Sequence, residues 1–521
     1  MKRIRTTVTV LTTVGLLAAC TGTDGGPGVE ATSPAIQEAS FKAGQSCEDS
    51  TQVSRSLSAT GAKDDAVVVT PDPYASDIAC RTLADGGTAA DAVAAAQFTL
   101  GLTEPQSSGP GGGAVAVYHD AASGETRTWN ASVPAPQGDD GTGVSGVPQT
   151  PQLMRTIQGT YGAKKFSDVL APVAELADGG FQASKRFVGA VKRRHDVMTG
   201  MPWPGVSSAN LPVPGDELTN PSYASYLRGL KVSGRIASED ALCADYRDTE
   251  VCGPGSTGTG MMVVGEALGI LDQLELGDDP QHVVTEAERL ALANGNTWMQ
   301  DPTVDPELSR NYVDSLVTDP EHLKKQAARI DPDSTLGRIE PDPLKGDAGT
   351  YLPNREEGTS QITVRDGDGS MASVTTTLHQ HFGSGELRNG YFMNNSMANF
   401  STSTKATNQR AAGVRPKTAM SPVIVFRDGT PFLALGSPGG GAIPSYVIKT
   451  TVGILDRGMT ARDAVDADNY GATGRDATYV EGTVAGQIVG TDSGLSVVSV
   501  ADGTVFAEAD ARAGGSALSA Q

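Results

Sequence analysis

The stretch GTSQITVRDGDGSMASVTTTLH, residues 358–379, constrains this chain more than any other. Asp366-Gly367-Asp368-Gly369 is a tight-turn signal between two alternating runs, and it predicts a β-hairpin. With the turn centred on Asp368, Val364 lies opposite Ala372, Ile362 opposite Val374, and Thr359 opposite Thr377. One face then carries Ile362, Val364, Ala372 and Val374, and is core. The other carries Thr359, Gln361, Thr363, Ser373, Thr375 and Thr377, with the hydroxyls of Thr359 and Thr377 about 5 Å apart across the strands. Taken alone, that polar face fits a solvent-facing strand, since threonine favours sheets.

The residues before it change the reading. Positions 331–358 are rich in Pro, Gly and charge and poor in apolar side chains, a composition expected not to order itself. Long structureless loops inside compact domains are uncommon and usually functional. Such a loop ending on a threonine predicts a cut between Gly358 and Thr359. The freed α-amine of Thr359, with a pKa of about 8, is partly neutral near pH 7 and can take the proton of its own hydroxyl. No histidine is needed. Gly358 presents an unhindered carbonyl, so the same hydroxyl can cut the chain autocatalytically, while Thr377 orients it by a hydrogen bond. GSPGGGA (436–442) lies between a strand and a helix expected from about Pro444. Its bare amides at Gly439 and Gly440 can form an oxyanion hole, although a glycine turn that merely joins the two elements fits equally well.

Bulk properties narrow the remaining classes. The chain has 521 residues and a net charge of -21, with no basic run beyond the N-terminus and Lys192-Arg193-Arg194, which argues against a nucleic-acid partner. Length alone suggests roughly three domains, a soft prior. Lys2, Arg3 and Arg5 precede an apolar-leaning stretch from Val8 to Ala19, too short to span a bilayer comfortably. It ends in Leu17-Ala18-Ala19-Cys20, which resembles the lipobox of bacterial lipoproteins. Residues 1–20 are therefore read as a lipoprotein signal lipidated at Cys20, or as an ordinary signal peptide; either reading puts the mature chain outside the cytoplasm. Residues 21–60 are read as a flexible linker. Cys47, Cys80, Cys243 and Cys252 allow three disulfide connectivities, of which 47–80 with 243–252 is preferred. The six histidines show no metal-ligand spacing beyond a weak His379/His381 pair, and neither a metal nor a cofactor is indicated.

Along the chain, helices are expected at 76–83 and 89–100, broken by Gly86-Gly87. GPGGG (109–113) reads as close backbone packing ahead of a hairpin, since no Gly-Lys-Ser/Thr follows. Residues 150–330 alternate helical patterns (166–177, 260–274, 286–293) with Pro/Gly loops. Strands at 422–427 and 431–436, helices at 444–456 and 460–466, and paired strands near 486–507 complete a layered α/β or α+β plan. No G-x-S-x-G occurs, which argues against a serine hydrolase.

Several segments together resemble the gamma-glutamyltransferase (gamma-glutamyltranspeptidase) family. They are GGTAADAVAAA (86–96), EPQSSGPGGG (104–113), the hairpin continued to residue 385, GYFMNNSMANFS (390–401), RPKTAMSPVIV (415–425), GSPGGG and ADARAGG (509–515). The resemblance spans about 63–515. It implies a four-layer αββα N-terminal-nucleophile fold, with a large subunit 61–358 and a small subunit 359–521 forming one unit after self-cleavage. It also implies Thr359 as nucleophile, Thr377 as its hydroxyl partner, Gly439 and Gly440 as oxyanion hole, and a small-molecule amide as substrate.

The substrate pocket departs from that pattern. Positions that hold a substrate ammonium in the family appear here as His379, Ser396 and Asn399, and the usual Ser-Ser appears as Thr418-Ala419. An expected arginine is replaced by Asn130 or a neighbour within two residues. Ser360 and Gln361 stand where Thr and His are usual. Burying an unpaired charge costs several kcal/mol, so glutathione is expected to bind poorly. Lys417, in place of a common leucine, reads as an exposed loop lysine or as a substitute cation. The segment 401–414 implies a shortened lid. The expectation is an amidohydrolase or acyltransferase on a γ-glutamyl-type amide, or alternatively on a glutaryl-like or secondary-metabolite amide. The rival class is a lipid-anchored binding protein that keeps the fold without turnover.

Overall fold

The computed structural model describes residues 54–194, 210–344, 357–484 and 487–520, together with 37–38, 47, 203 and 206. The targeting segment, Cys20 and residues 345–356 lie outside the described residues. Those described fall within one compact unit, Ser33–Gln521.

Among the described residues, thirteen strands make the principal sheet. In chain order they are β1 (Ser58–Ala62), β2 (Ala66–Thr70), β3 (Gly113–His119), β4 (Thr126–Ala131), β5 (Glu239–Tyr246) and β6 (Thr249–Pro254). Then follow β7 (Gly358–Arg365), β8 (Met371–His379), β9 (Val423–Arg427), β10 (Thr430–Gly436), β11 (Ser496–Ala501), β12 (Thr504–Ala509) and β13 (Ser516–Ala520). The spatial order is β13-β2-β7-β8-β3-β4-β5-β6-β9-β10-β11-β12-β1. The ribbon is joined at its middle by the pairs Arg127–Asp240 and Thr128–Glu239. It folds there, so that one half faces the other: Thr363 on β7 hydrogen-bonds the carbonyl of Ser496 on β11, and Ser373 on β8 that of Leu435 on β10.

Helices cover both outer faces, which completes four layers, αββα. On the first half lie Pro73–Ala84 and Ala89–Thr103, packed over Val68, Ala116, Ile362 and Val374. On the second lie Met261–Asp272, Gln281–Trp298 and Ile443–Leu455, packed over Val251, Val425 and Leu435. Local chemistry sets the helix starts. Asp72 accepts from the amide of Ala75 ahead of Pro73, and Thr88 with Asp91 forms a capping box. The turn residue Asp366 also accepts from the amide of Ala89, which ties the hairpin tip to a helix N-terminus.

The hairpin register is as expected, with Thr359 opposite Thr377, Ile362 opposite Val374, and Val364 opposite Ala372. Its polar face is not solvent-facing. Thr359, Gln361, Thr363, Ser373 and Thr375 are all fully buried between the two halves. Gln361 satisfies that layer: its amide donates to Ser373 at 2.9 Å and accepts from Thr375 at 2.6 Å. Polar side chains tolerate a dry sandwich interior when they bond one another.

Other expectations need correction. The linker does not run to residue 60: Gln37–Glu38 pairs with Ser54–Arg55, and β1 begins at Ser58. Residues 331–344 carry no regular element beyond a bridge, yet they are ordered by side chains of the helix Gln281–Trp298. Arg289 donates to the carbonyls of Leu336 and Gly337, Trp298 to that of Asp342, and Ile339 is buried. The hairpin β5–β6 and the closing strand β13 appear where helices, loops or nothing regular were expected. The sulfurs of Cys47 and Cys80 lie 2.22 Å apart and those of Cys243 and Cys252 2.01 Å, the preferred pairing.

Candidate active site

Thr359 is the second residue of β7, an interior strand between β2 and β8. Its hydroxyl donates to Thr377 Oγ1 at 3.2 Å, and Thr377 donates to the carbonyl of Gly358 at 2.5 Å. The amide of His379 donates to Thr377 Oγ1 at 2.8 Å, fixing the orientation of that hydroxyl. A chain of hydrogen bonds thus runs from the threonine hydroxyl to the carbonyl of the peptide bond preceding it. The ladder register shifts between Gly358 and Thr359, so the irregularity falls at this bond.

Glycines allow the close approach. A Cβ on Gly112 would lie 2.2 Å from the carbonyl of Thr377, and one on Gly111 2.0 Å from that of Phe392. The run 109–113 is therefore a packing device, as its sequence implies. Just upstream, Ser107 accepts from the amide of Leu378. His379 takes φ +80, a left-handed conformation that costs a side chain of this type about 1–3 kcal/mol.

A clamp on Thr359 was missed in the sequence. Arg186 donates to the carbonyl of Thr359 at 2.9 Å and to Glu104 at 2.8 Å. Glu104 is buried, accepts also from Ser184 and Gln106, and has its carboxyl pushed up by burial against the pull of Arg186. Arg186 lies on the helix Lys185–Arg193, capped by Ser184, some 170 positions before Thr359 in the chain. No local pattern signals that contact. Both residues border a cavity of 1090 Å³ that Glu357, His381 and Pro438 also line.

The glycine loop follows β10, whose last residue, Gly436, would place a Cβ 2.4 Å from the Gln361 side chain. Gly439 takes φ +132 and Gly440 φ +59, and a Cβ on Gly439 would meet the Tyr446 ring at 2.3 Å. Gly439 therefore demands glycine, and the left-handed backbone at Gly440 favours it.

The expected pocket residues partly converge. Thr377, His379, Ser396, Asn399 and Thr418 line one small cavity of about 10 Å³. Asn130 does not line it: its amide bonds Ser256 and its carbonyl oxygen accepts from Ser132. Ser132, two residues on, is in the lining instead. Ala419 borders a neighbouring cavity, also of about 10 Å³. Burial lowers His379 to about 4, partly offset by a hydrogen bond to Asn395, so its ring is neutral at pH 7. Lys417 is not an exposed loop residue: it is 2% exposed and borders both cavities. The segment 401–414 is held in place, with Arg410 paired to Asp139 and Asn408 bonding the backbones of Asn399 and Lys417.

A gamma-glutamyltranspeptidase family model matches residues 75–238 and 235–491. The chain belongs to the gamma-glutamyltranspeptidase family. It is accordingly an enzyme of that type. Relatives include the glutathione hydrolase proenzyme of Bacillus subtilis (strain 168), 25% identical over 477 residues, which cover 77% of this chain and 80% of that protein. Glutathione hydrolase 2 of Arabidopsis thaliana is 28% identical over 453 residues, 74% of this chain and 75% of that one. Among solved structures, the cephalosporin acylase from Bacillus halodurans superposes with a TM-score of 0.75 at 21% identity, covering 90% of this chain and 98% of that chain. That likeness establishes the N-terminal-nucleophile fold for this gamma-glutamyltranspeptidase-family member. Among its described residues no helix is long and apolar enough to cross a membrane.

Proposed function

We propose that the chain is the precursor of an N-terminal threonine amidohydrolase or acyltransferase that cuts itself before Thr359. The observation that carries this reading is the hydrogen-bond chain from Thr359 Oγ1 through Thr377 Oγ1 to the Gly358 carbonyl. In the precursor, Thr377 polarises that carbonyl while Thr359 Oγ1 attacks it. The peptide C–N bond breaks, the threonine proton passes to the released nitrogen, and Gly358 is left as an ester on Thr359. Water hydrolyses the ester, which yields a Gly358 carboxylate and a free threonine amine.

The two products stay together for a physical reason. β7 and β8 follow the cut but pair with β2 and β3, which precede it, so separation would break two interior ladders. In the mature form the α-amine of Thr359 takes the hydroxyl proton, and the oxygen attacks a substrate amide. Gly439 and Gly440 amides stabilise the oxyanion, the amine leaves protonated, and water or an acceptor amine resolves the acyl-threonine. Arg186 holds the Thr359 carbonyl once the bond to Gly358 is cut. The sequence signals add an extracytoplasmic location, an anchor at Cys20, and disulfides at 47–80 and 243–252.

Denaturing electrophoresis tests the first step, with two chains expected from the wild type and one from Thr359→Ala. Anilide hydrolysis by the cleaved protein tests the second.

A further inference from the structure

The wall of the candidate acyl pocket contains a buried lysine. Lys417 has its backbone pinned on both sides: its amide donates to Asn408 Oδ1 at 3.0 Å and its carbonyl accepts from Asn399 Nδ2 at 2.5 Å. The side chain runs from the cavity containing Thr377 and Thr418 toward the one bordered by Asn296, Ala419 and Gly441. There the ammonium donates to Asn296, to the carbonyl at 3.2 Å and to Oδ1 at 3.3 Å. The other amide atom, Asn296 Nδ2, is buried with no hydrogen-bond acceptor among the described residues. A second donor therefore stands beside the ammonium, with its hydrogens unspent.

Charge around the two cavities is one-sided. Among the described residues that line them, none is Asp, Glu or Arg, and His379 is neutral at pH 7. A substrate ammonium would meet no anion among those lining residues and would face the lysine. A carboxylate would accept from Lys417 Nζ and Asn296 Nδ2 together, a charge-assisted arrangement. Burial lowers Lys417 to about 7, and a carboxylate brought beside the ammonium would favour its charged form.

We infer that Lys417, with Asn296 beside it, determines acyl specificity by binding the distal carboxylate of an acyl group that lacks an α-amino group, the monoamide of a short dicarboxylic acid such as a glutaryl amide. This rests on the assignment of Thr359 as nucleophile. It concerns the cleaved protein, because cavities of about 10 Å³ in the uncleaved chain hold no more than a water.

The test compares kcat/KM for glutaryl, γ-glutamyl and pentanoyl anilides in self-cleaved wild-type protein and in Lys417→Met. The wild type is expected to prefer glutaryl over both others by about tenfold or more, and the variant to lower the glutaryl-to-pentanoyl ratio by about 100-fold, chiefly through KM. A cleaved wild type that prefers γ-glutamyl anilide, or that is inert on all three, overturns this inference, as does a variant that slows all three substrates alike. If K417M fails to self-cleave, competition in the wild type decides: glutarate must inhibit hydrolysis more strongly than pentanoate, and equal inhibition overturns the proposal. An unbroken wild-type chain removes the nucleophile assignment itself, and this inference with it.

Discussion

The two faces of the hairpin β7–β8 are equally dry and differ in everything else. The helix-facing side is aliphatic, with Ile362, Val364, Ala372 and Val374 at most 1% exposed. The sheet-facing side is hydroxyl and amide, with Thr359 and Gln361 at 0% and Thr377 at 4%. Burial on the first side is held by transfer of apolar surface from water. On the second it is held by mutual hydrogen bonds, because a buried hydroxyl without a partner costs about 1–3 kcal/mol. One face can therefore be altered at the expense of stability alone. The other carries the hydroxyls to which the proposal assigns the chemistry.

That contrast is broken or sharpened by substitution. Thr359→Ala has the largest expected effect: self-cleavage and hydrolysis both vanish while the circular dichroism spectrum is retained. Gly439→Ala adds a Cβ at φ +132 against the Tyr446 ring and displaces a proposed oxyanion donor. Its kcat should fall by about 10²–10³ in anilide assays. Ile362→Ala, on the opposite face, should lower unfolding stability by about 2–5 kcal/mol in denaturant titration, with kcat within a few-fold of wild type. Loss of turnover there would erase the distinction between the faces. Arg186→Ala frees the Thr359 carbonyl and leaves Glu104 buried without its cation. A kcat decrease of about 10–100-fold is expected, with Arg186→Lys recovering part of it and KM little changed.

The smallest effect is electrostatic. Burial holds both His379 and His381 at about 4, below their ordinary 6.5. Between those values the unfolded chain binds protons that the folded chain does not, so stability present at pH 7 is lost as pH falls. From pH 7 to 5.5 each ring should account for about 1 kcal/mol in denaturant titrations, and His379→Asn should remove about half of their combined slope.

What could be read in advance follows from the range of each interaction. The Asp366-Gly367-Asp368-Gly369 turn and two alternating runs determine a register locally, and every expected cross-strand pair is present. Helices such as Ala89–Thr103 carry their caps in their own first turn. Contacts made across the fold left no such trace. β13, SALSA, has only Leu518 as a large apolar residue and is a strand because β2 pairs with it. The order of residues 331–344 comes from side chains on a helix some 50 positions earlier, as when Leu336 donates to Glu286. Arg186 reaches Thr359, and Lys417 is enclosed, only through tertiary packing. A lysine in a Pro-containing loop reads as exposed until the residues that cover it are known. The pocket was thus legible as altered, whereas the choice between an exposed and an enclosed Lys417 needed the tertiary structure.

The central claim is that Thr359 acquires a free amine by its own chemistry. Intact mass and N-terminal sequencing of the purified wild type and of Thr359→Ala test it most directly. The account requires two wild-type chains, the smaller beginning Thr359-Ser360-Gln361, and one unbroken variant chain. A wild-type chain intact through Gly358–Thr359, or the same cut in Thr359→Ala, would contradict it.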